Sequence, residues 1–244
     1  MIEASGLKKS FGAVHAVRDV SFTAEDGRIT GLLGPNGAGK TTTLRMLYTL
    51  LKPAGGVVKV DGIDAAFDPA GVRRRMGVLP DTRGLYKRLT ARENIEYFGR
   101  LQGLDAGRLR QRTDLLLDQL DMRDIENRWA DGFSQGQRVK TALARALVHD
   151  PQNVLLDEPG NGLDVLATRA MRELMRGLRA EGKCVVFSSH IMQEVAALCD
   201  HIVVIAHGRV VAAGTPQELR ASTGEAQLED AFVKVIGTAE GLAA

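Results

Sequence analysis

The spacing of apolar residues changes at residue 34. Before it, RITGLLG at 28–34 is apolar almost throughout and predicts a strand buried on both faces. After it, GKTTTLRMLYTLL sets Leu44, Leu47, Tyr48 and Leu51 three and four residues apart, which predicts one face of a helix. Upstream, AVHAVRDVSF alternates apolar and polar residues before EDGR, and GVVKVDGID reads as a brief strand ended by Asp61-Gly62. From 84 to 130 the pattern turns mainly helical. ARENIEYFGRLQG aligns Ile95, Phe98 and Gln102, and RTDLLLDQLDM forms a second amphipathic stretch around Leu116 and Leu120. The second half alternates strands (NVLLDE, KCVVFSSH, HIVVIAHGRVVAAG) with helices, and His207-Gly208 reads as a hairpin turn. In VLATRAMRELMRGLRAEG the face towards the sheet is Ala167, Ala170, Met171, Leu174 and Leu178. This succession predicts a mostly parallel sheet flanked by helices.

Composition narrows the picture modestly. The 244 residues suffice for one large domain or a core with small subdomains. A net charge of +2 does not point to a nucleic-acid binder. Two cysteines, Cys184 and Cys199, are too few for a disulfide framework or a four-ligand zinc site and favour a reducing compartment. With no apolar leader and no run long enough to span a bilayer, the expectation is a soluble cytoplasmic body whose membrane role would need a separate partner.

The glycine stretch carries the first chemistry. GPNGAGKT fits G-x-x-x-x-G-K-[ST], between a strand and a helix as that motif requires. Gly34, Gly37 and Gly39 let successive amides turn towards an anion, and the following helix adds its positive end. Lys40 is placed to reach β- and γ-phosphates, and the Thr41 hydroxyl to coordinate magnesium. NVLLDEP then delivers Asp157 and Glu158 to the carboxyl end of the sheet. Asp157 is the metal candidate; Glu158 is the residue to orient or deprotonate an attacking water.

FSQGQR at 133–138 supports two readings. Ser134 and Gln137 have capping-box spacing ahead of VKTALARAL, whose Val139, Leu143, Ala146 and Leu147 are spaced for burial. The same residues, with the Gly136 amide, also make a second anion-binding helix end.

Taken together these segments resemble the nucleotide-binding subunit of ABC transporters over nearly the whole chain. GPNGAGKTT is similar to the family's Walker A motif, NVLLDEP to Walker B, FSQGQ to the signature, NGLD to the D-loop and FSSH to the switch-histidine segment. The resemblance implies a P-loop NTPase core of α/β class, with a mixed, mostly parallel sheet, an N-terminal antiparallel β subdomain and an inserted helical subdomain at about 84–150. One domain over 1–220 would be followed by a helix and tail over 221–244. It implies ATP and magnesium as cofactors, with ATP held by Gly34, Asn36, Gly37, Ala38, Gly39, Lys40, Thr41 and Thr42. Phe11 would stack on adenine, its alternative being a core position. Ser134, Gly136 and Gln137 would meet the ATP of an opposite subunit. Catalysis would fall to Glu158, His190 and Lys40, although a histidine after VVFSS reads equally as a strand-end residue. Asn161 and Asp164 would lie at the dimer seam. The implied partners are a second copy, head to tail around two ATP molecules, and a transmembrane permease that holds the chain at the cytoplasmic face of the membrane.

Three positions depart from the family pattern. Asp81 stands where many members carry a glutamine; it can only accept hydrogen bonds when ionised, and is kept as a metal or water contact. Gln135 replaces a glycine of the signature, and Gly160 a small hydroxyl residue. FSQGQR, GVLPDTRGLY and the segment from SSHIMQEV to TPQEL resemble the sodium-efflux (NatA-type) and drug-export branch, which implies export. With TPQEL close to the end of the sequence, the expectation is a core without the long accessory region of some importers and lipid exporters. The arginines at 73–75, 83, 88, 92, 100, 108, 110 and 112 read as a solvated face, or as contacts to a membrane subunit or anionic lipid. No nucleic-acid partner is expected. An ABC ATPase acting on nucleic acid or ribosomes would need a coiled-coil insertion or a tandem core, and a regulatory subunit with little turnover fits poorly with an intact Glu158 and His190.

Overall fold

The computed structural model describes residues 1–82 and 84–239. Arg83 and the last five residues of the expected tail lie outside the described residues. Strands β1 (Ile2–Phe11) and β2 (Val14–Ala24) pair antiparallel. The apolar pattern does not reveal β1, because Gly6 at φ 60° accompanies a shift of register between Ala4 and Leu7. Its buried residues Ile2, Ala4 and Leu7 therefore do not keep a step of two.

β3 (Ile29–Leu33) is buried at every position and runs through the glycine loop into α1 (Lys40–Leu47). The helix is shorter than its apolar spacing predicts. Tyr48 caps it and Thr49 takes φ 64°, so Leu51 lies beyond the helix and packs from a loop. β4 (Gly55–Val60) and the two-residue β5 (Ile63–Asp64) complete the antiparallel part, β4 lying against β1. α2 (Pro69–Arg74) leads to β6 (Met76–Leu79), whose four residues are too few to carry a periodic signal.

The helical insert holds α3 (Ala91–Leu101), α4 (Ala106–Gln119) and α5 (Gln135–Leu147). Asn94, fully buried, accepts from the Tyr86 amide and donates to the carbonyls of Tyr86, Leu89 and Thr90. One side-chain amide thus pins the segment leading into α3. The remaining elements are β7 (Asn153–Asp157), α6 (Val165–Ala180), β8 (Cys184–Ser189), α7 (Met192–Leu198), β9 (His201–Ala206), β10 (Arg209–Gly214), α8 (Pro216–Thr223) and α9 (Leu228–Ala239). On α6 the buried residues are Met171, Met175 and Leu178, whereas Ala170 is exposed, because the face turned to the sheet sits one step round from the expected one.

The strands follow the order β5-β4-β1-β2-β10-β9-β3-β8-β7-β6. From β9 to β6 all neighbours are parallel, and β10 returns antiparallel to β9 through the His207-Gly208 turn. Both faces of this parallel part are covered. Leu32, Leu155, Val186 and Val203 join the core around α1, and Leu33, Leu156, Phe187 and Val204 join the core under the helical insert. Register decides where the chemistry goes. Leu33 pairs with Ser189 and Asp157 with Ser188, so the ends of β3, β7 and β8 open at one edge.

Candidate functional site

The loop leaving β3 is shaped by close approach. A Cβ on Gly34 would lie 2.1 Å from the Ile205 carbonyl oxygen, and one on Gly39, at φ 108°, 2.5 Å from that of Ala16. The Gly208 amide donates to the Ala38 carbonyl at 3.0 Å, so the β9–β10 turn backs the loop from behind. Lys40 opens α1 yet is only 6% exposed, and its Nζ donates to the carbonyls of Gly34 (2.7 Å) and Pro35 (3.2 Å). The ammonium is therefore held inside the curl of the loop.

Ser188 organises the two acids. Its hydroxyl donates to Asp157 Oδ1 at 2.6 Å and accepts from the Glu158 amide at 3.0 Å. Periodicity along the chain does not single out Ser188; its one signal is a hydroxyl pair, Ser188-Ser189, ending an apolar strand. Thr41 Oγ1 also donates to Asp157 Oδ1, at 3.2 Å. Burial, first of all, pushes the Asp157 carboxyl above the usual carboxylate range; the hydrogen bonds from Ser188 and Thr41 oppose this, and the negative charges of Asp81 and Glu158 add to it. A buried carboxylate beside a hydroxyl, crowded by other acids, suits a hard divalent cation. Among the described residues no group of three or more histidine, cysteine or acidic residues forms a metal cage.

Glu158 takes the left-handed backbone at φ 47°, which side-chain-bearing residues seldom adopt. Its Oε1 lies 3.6 Å from Lys40 Nζ and its Oε2 2.8 Å from His190 Nδ1. An ionised carboxylate can only accept, so Nδ1 carries the hydrogen in that pair. His190 is 44% exposed at the side chain, which removes it from the core.

These groups share a cleft of about 480 Å³ with Phe11, Ala16, residues 36–42, Asp81 and Asn161. Phe11 is 49% exposed there, not a core residue, and Lys9 Nζ lies 5.6 Å from its ring centroid. Asp81 sits on the rim with both oxygens 3.2 Å from Arg45 Nη2. Arg45 gave no functional signal in the sequence.

Ser134, Gly136 and Gln137 do not line this cleft; they border a second one, with Leu163, Asp164 and Leu166. The capping box does form: the Gln137 amide donates to Ser134 Oγ at 3.3 Å, and the Ser134 amide to Gln137 Oε1 at 3.0 Å. A Cβ on Gly162 would lie 3.1 Å from Gln135 Cγ, so the side chain at the departing signature position lies against the segment after Glu158. Asp164 caps α6 by accepting from the Ala167 amide at 2.8 Å. Several of the arginines are paired within the chain, Arg92 with Asp114 and Glu126, Arg100 with Glu96, and Arg112 with Asp150. No helix among the described residues is long and apolar enough to cross a membrane.

Comparison with known proteins gives consistent results. Residues 17–161 match the family described as ABC transporter. The chain is 48% identical over 221 residues to the ABC transporter ATP-binding protein NatA of Bacillus subtilis (strain 168), covering 90% of each. It is 40% identical over 223 residues to the daunorubicin/doxorubicin resistance ATP-binding protein DrrA of Streptomyces peucetius, covering 91% of this chain and 68% of that one. Among solved structures, an ATP-binding subunit of an ABC transporter superposes with a TM-score of 0.90 at 30% identity, covering 97% of this chain and 99% of the other. A dimeric ATP-binding cassette in a post-hydrolysis state with ADP and Pi does so with 0.81 at 25% identity, covering 88% and 98%.

Proposed function

The chain belongs to the ABC transporter family as an ATP-binding, ATP-hydrolysing subunit coupled to transport, and from that premise we propose how its residues divide the work. The observation that carries the reading is the line Lys40–Glu158–His190, with its 3.6 and 2.8 Å spacings, beside the glycine loop. Lys40 and the amides of Gly34 and residues 36–42 bind the phosphates of ATP, and Phe11 stacks on the adenine. Thr41 and Asp157 hold magnesium, with Asp81, tied to Arg45, adding its charge from the rim. The ion, when bound, neutralises charge on the phosphate oxygens. Glu158 orients the attacking water and accepts its proton; His190 holds Glu158 through Nδ1–H and so fixes where the carboxylate points.

Ser134, Gly136 and Gln137 stand on a separate cleft, which supports their acting on ATP bound by a second copy. Two chains placed head to tail would then enclose two ATP molecules. Residues 1–220 form the working cassette, with the helical insert at about 84–150 carrying Ser134, Gly136 and Gln137. A transmembrane permease binds it at the cytoplasmic face of the membrane, and the cycle drives export. The relatedness to NatA and DrrA supports a sodium ion, a drug or a similar small cargo.

The deciding experiment is light scattering on Glu158→Gln, with and without magnesium-ATP, at several protein concentrations. A monomer that becomes a dimer only with nucleotide is expected. A mass that stays monomeric at saturating ATP would refute closure by the chain alone. Export is checked in inverted vesicles carrying the permease, where ATP-dependent cargo uptake that requires Glu158 is expected, and uptake indifferent to Glu158 would sink the coupling.

A further inference from the structure

Glu194 is a buried acid that the mechanism above does not use. It is 7% exposed, on α7, one turn along from His190. Its helix is firmly seated: Val195 is fully buried, and a Cβ on Gly31 of β3 would meet Cys199 Sγ at 2.5 Å and Val195 Cγ1 at 3.4 Å. From that base the carboxylate reaches two functional loops. Ser189 Oγ donates to Glu194 Oε2 at 2.9 Å and accepts from the Ile191 amide at 3.0 Å. The residues on either side of His190 are thus joined through one hydroxyl whose hydrogen Glu194 aims. The other oxygen faces the segment after Glu158, where a Cβ on Gly160 would stand 2.4 Å from Glu194 Oε1.

We propose that Glu194 is a positioning residue for ATP hydrolysis, fixing the His190 turn through Ser189 and seating it against the Glu158 loop through Gly160. This accounts for glycine at 160, where a hydroxyl residue is common in the family: the space of its side chain is filled by the Glu194 carboxylate. Ser189 alone cannot do this. Its hydroxyl is free to rotate, and only a fixed acceptor makes it present a lone pair to the Ile191 amide. The inference rests on the assignment of His190 and Glu158 to the reaction.

Steady-state ATP turnover by the purified chain, with circular dichroism to verify folding, separates the two. Glu194→Ala is expected to lower kcat by about 10- to 100-fold, as loss of catalytic orientation does, with KM within about threefold of the parent. Glu194→Gln keeps an acceptor for Ser189 and is expected to recover kcat to within about fivefold. Gly160→Ala tests the same contact without removing the acid, so it serves if Glu194→Ala does not fold, and it too should lower kcat at unchanged KM. In a His190→Ala background, Glu194→Ala should cost nothing further, because the two act as one unit. A folded Glu194→Ala or Gly160→Ala with parental kcat overturns the inference, as does a change confined to KM. If His190→Ala is inactive while Glu194→Ala is not, only the inference fails; if His190→Ala is fully active, the assignment of His190 fails and takes the inference with it.

Discussion

Arg45 Nη2 lies 3.2 Å from both carboxylate oxygens of Asp81, so the acid at the departing cleft position is shared with a cation behind it. Both side chains are about one-third exposed, at 36% and 37%. The pair is therefore worth little to stability, about 0–1 kcal/mol. Its effect is on charge, because Asp81 adds to the negative field that raises the Asp157 carboxyl. Asp81→Asn should leave the melting temperature nearly unchanged and tighten binding of magnesium-free ADP by about two- to fivefold, by removing one negative charge from the cleft wall. Calorimetric titration in EDTA measures this. A tenfold loss of magnesium-ADP affinity would instead make Asp81 a direct metal ligand.

The glycines of the loop should differ sharply in tolerance. At Gly34 and Gly39 an added methyl meets backbone carbonyls of Ile205 and Ala16, which cannot swing away, whereas at Gly37 nothing stands within 4 Å. Gly34→Ala and Gly39→Ala are expected to destabilise the chain by roughly 1–3 kcal/mol or more and to abolish ATP binding. Gly37→Ala meets only the strain of φ 80°, about 1 kcal/mol. Urea unfolding of the three variants checks the order, and a Gly34→Ala loss no larger than that of Gly37→Ala would show that the close approach to Ile205 is relieved.

Asp157 should make the fold less stable at neutral pH than it would be with an uncharged residue. Burial above all raises its carboxyl from an ordinary value of 3.8, so the folded chain keeps a proton that the unfolded chain has already released. Stability is lost as pH rises from that value through the higher folded one, and the loss persists above it. Asp157→Asn, which can still accept from Ser188 and Thr41, should therefore melt higher than the parent at about pH 8 in EDTA, with the gain shrinking as pH falls towards about 4. Its magnesium-dependent turnover should be gone. A variant that melts lower at neutral pH would show that the carboxylate's hydrogen bonds outweigh its burial.

The parallel core was legible because its strands are continuous apolar runs and its helices carry clear faces; the glycine loop and the DE pair were legible because the backbone chemistry they serve allows few alternatives. What stayed hidden depends on contacts distant in sequence. β1 was masked by the register shift at Gly6, and the early end of α1 by Thr49. Ser188, Arg45 and Asn94 gain their roles only when another element presents an acid, a second acid or a run of carbonyls. Gly160 is the clearest case: read along the chain it is a missing hydroxyl, and only the fold shows Glu194 standing in the space.

The placing of Ser134–Gln137 and the glycine loop on separate clefts has a consequence for gene dosage. On the proposed head-to-tail pairing each chain supplies half of two composite sites, so a copy inactivated in hydrolysis should be a poison, since it can still pair. In a cell making equal amounts of intact and Glu158-deficient copies, which still bind ATP, most pairs would contain at least one defective member. Turnover per chain should likewise fall on dilution, so low expression would silence activity more than in proportion to the number of copies lost.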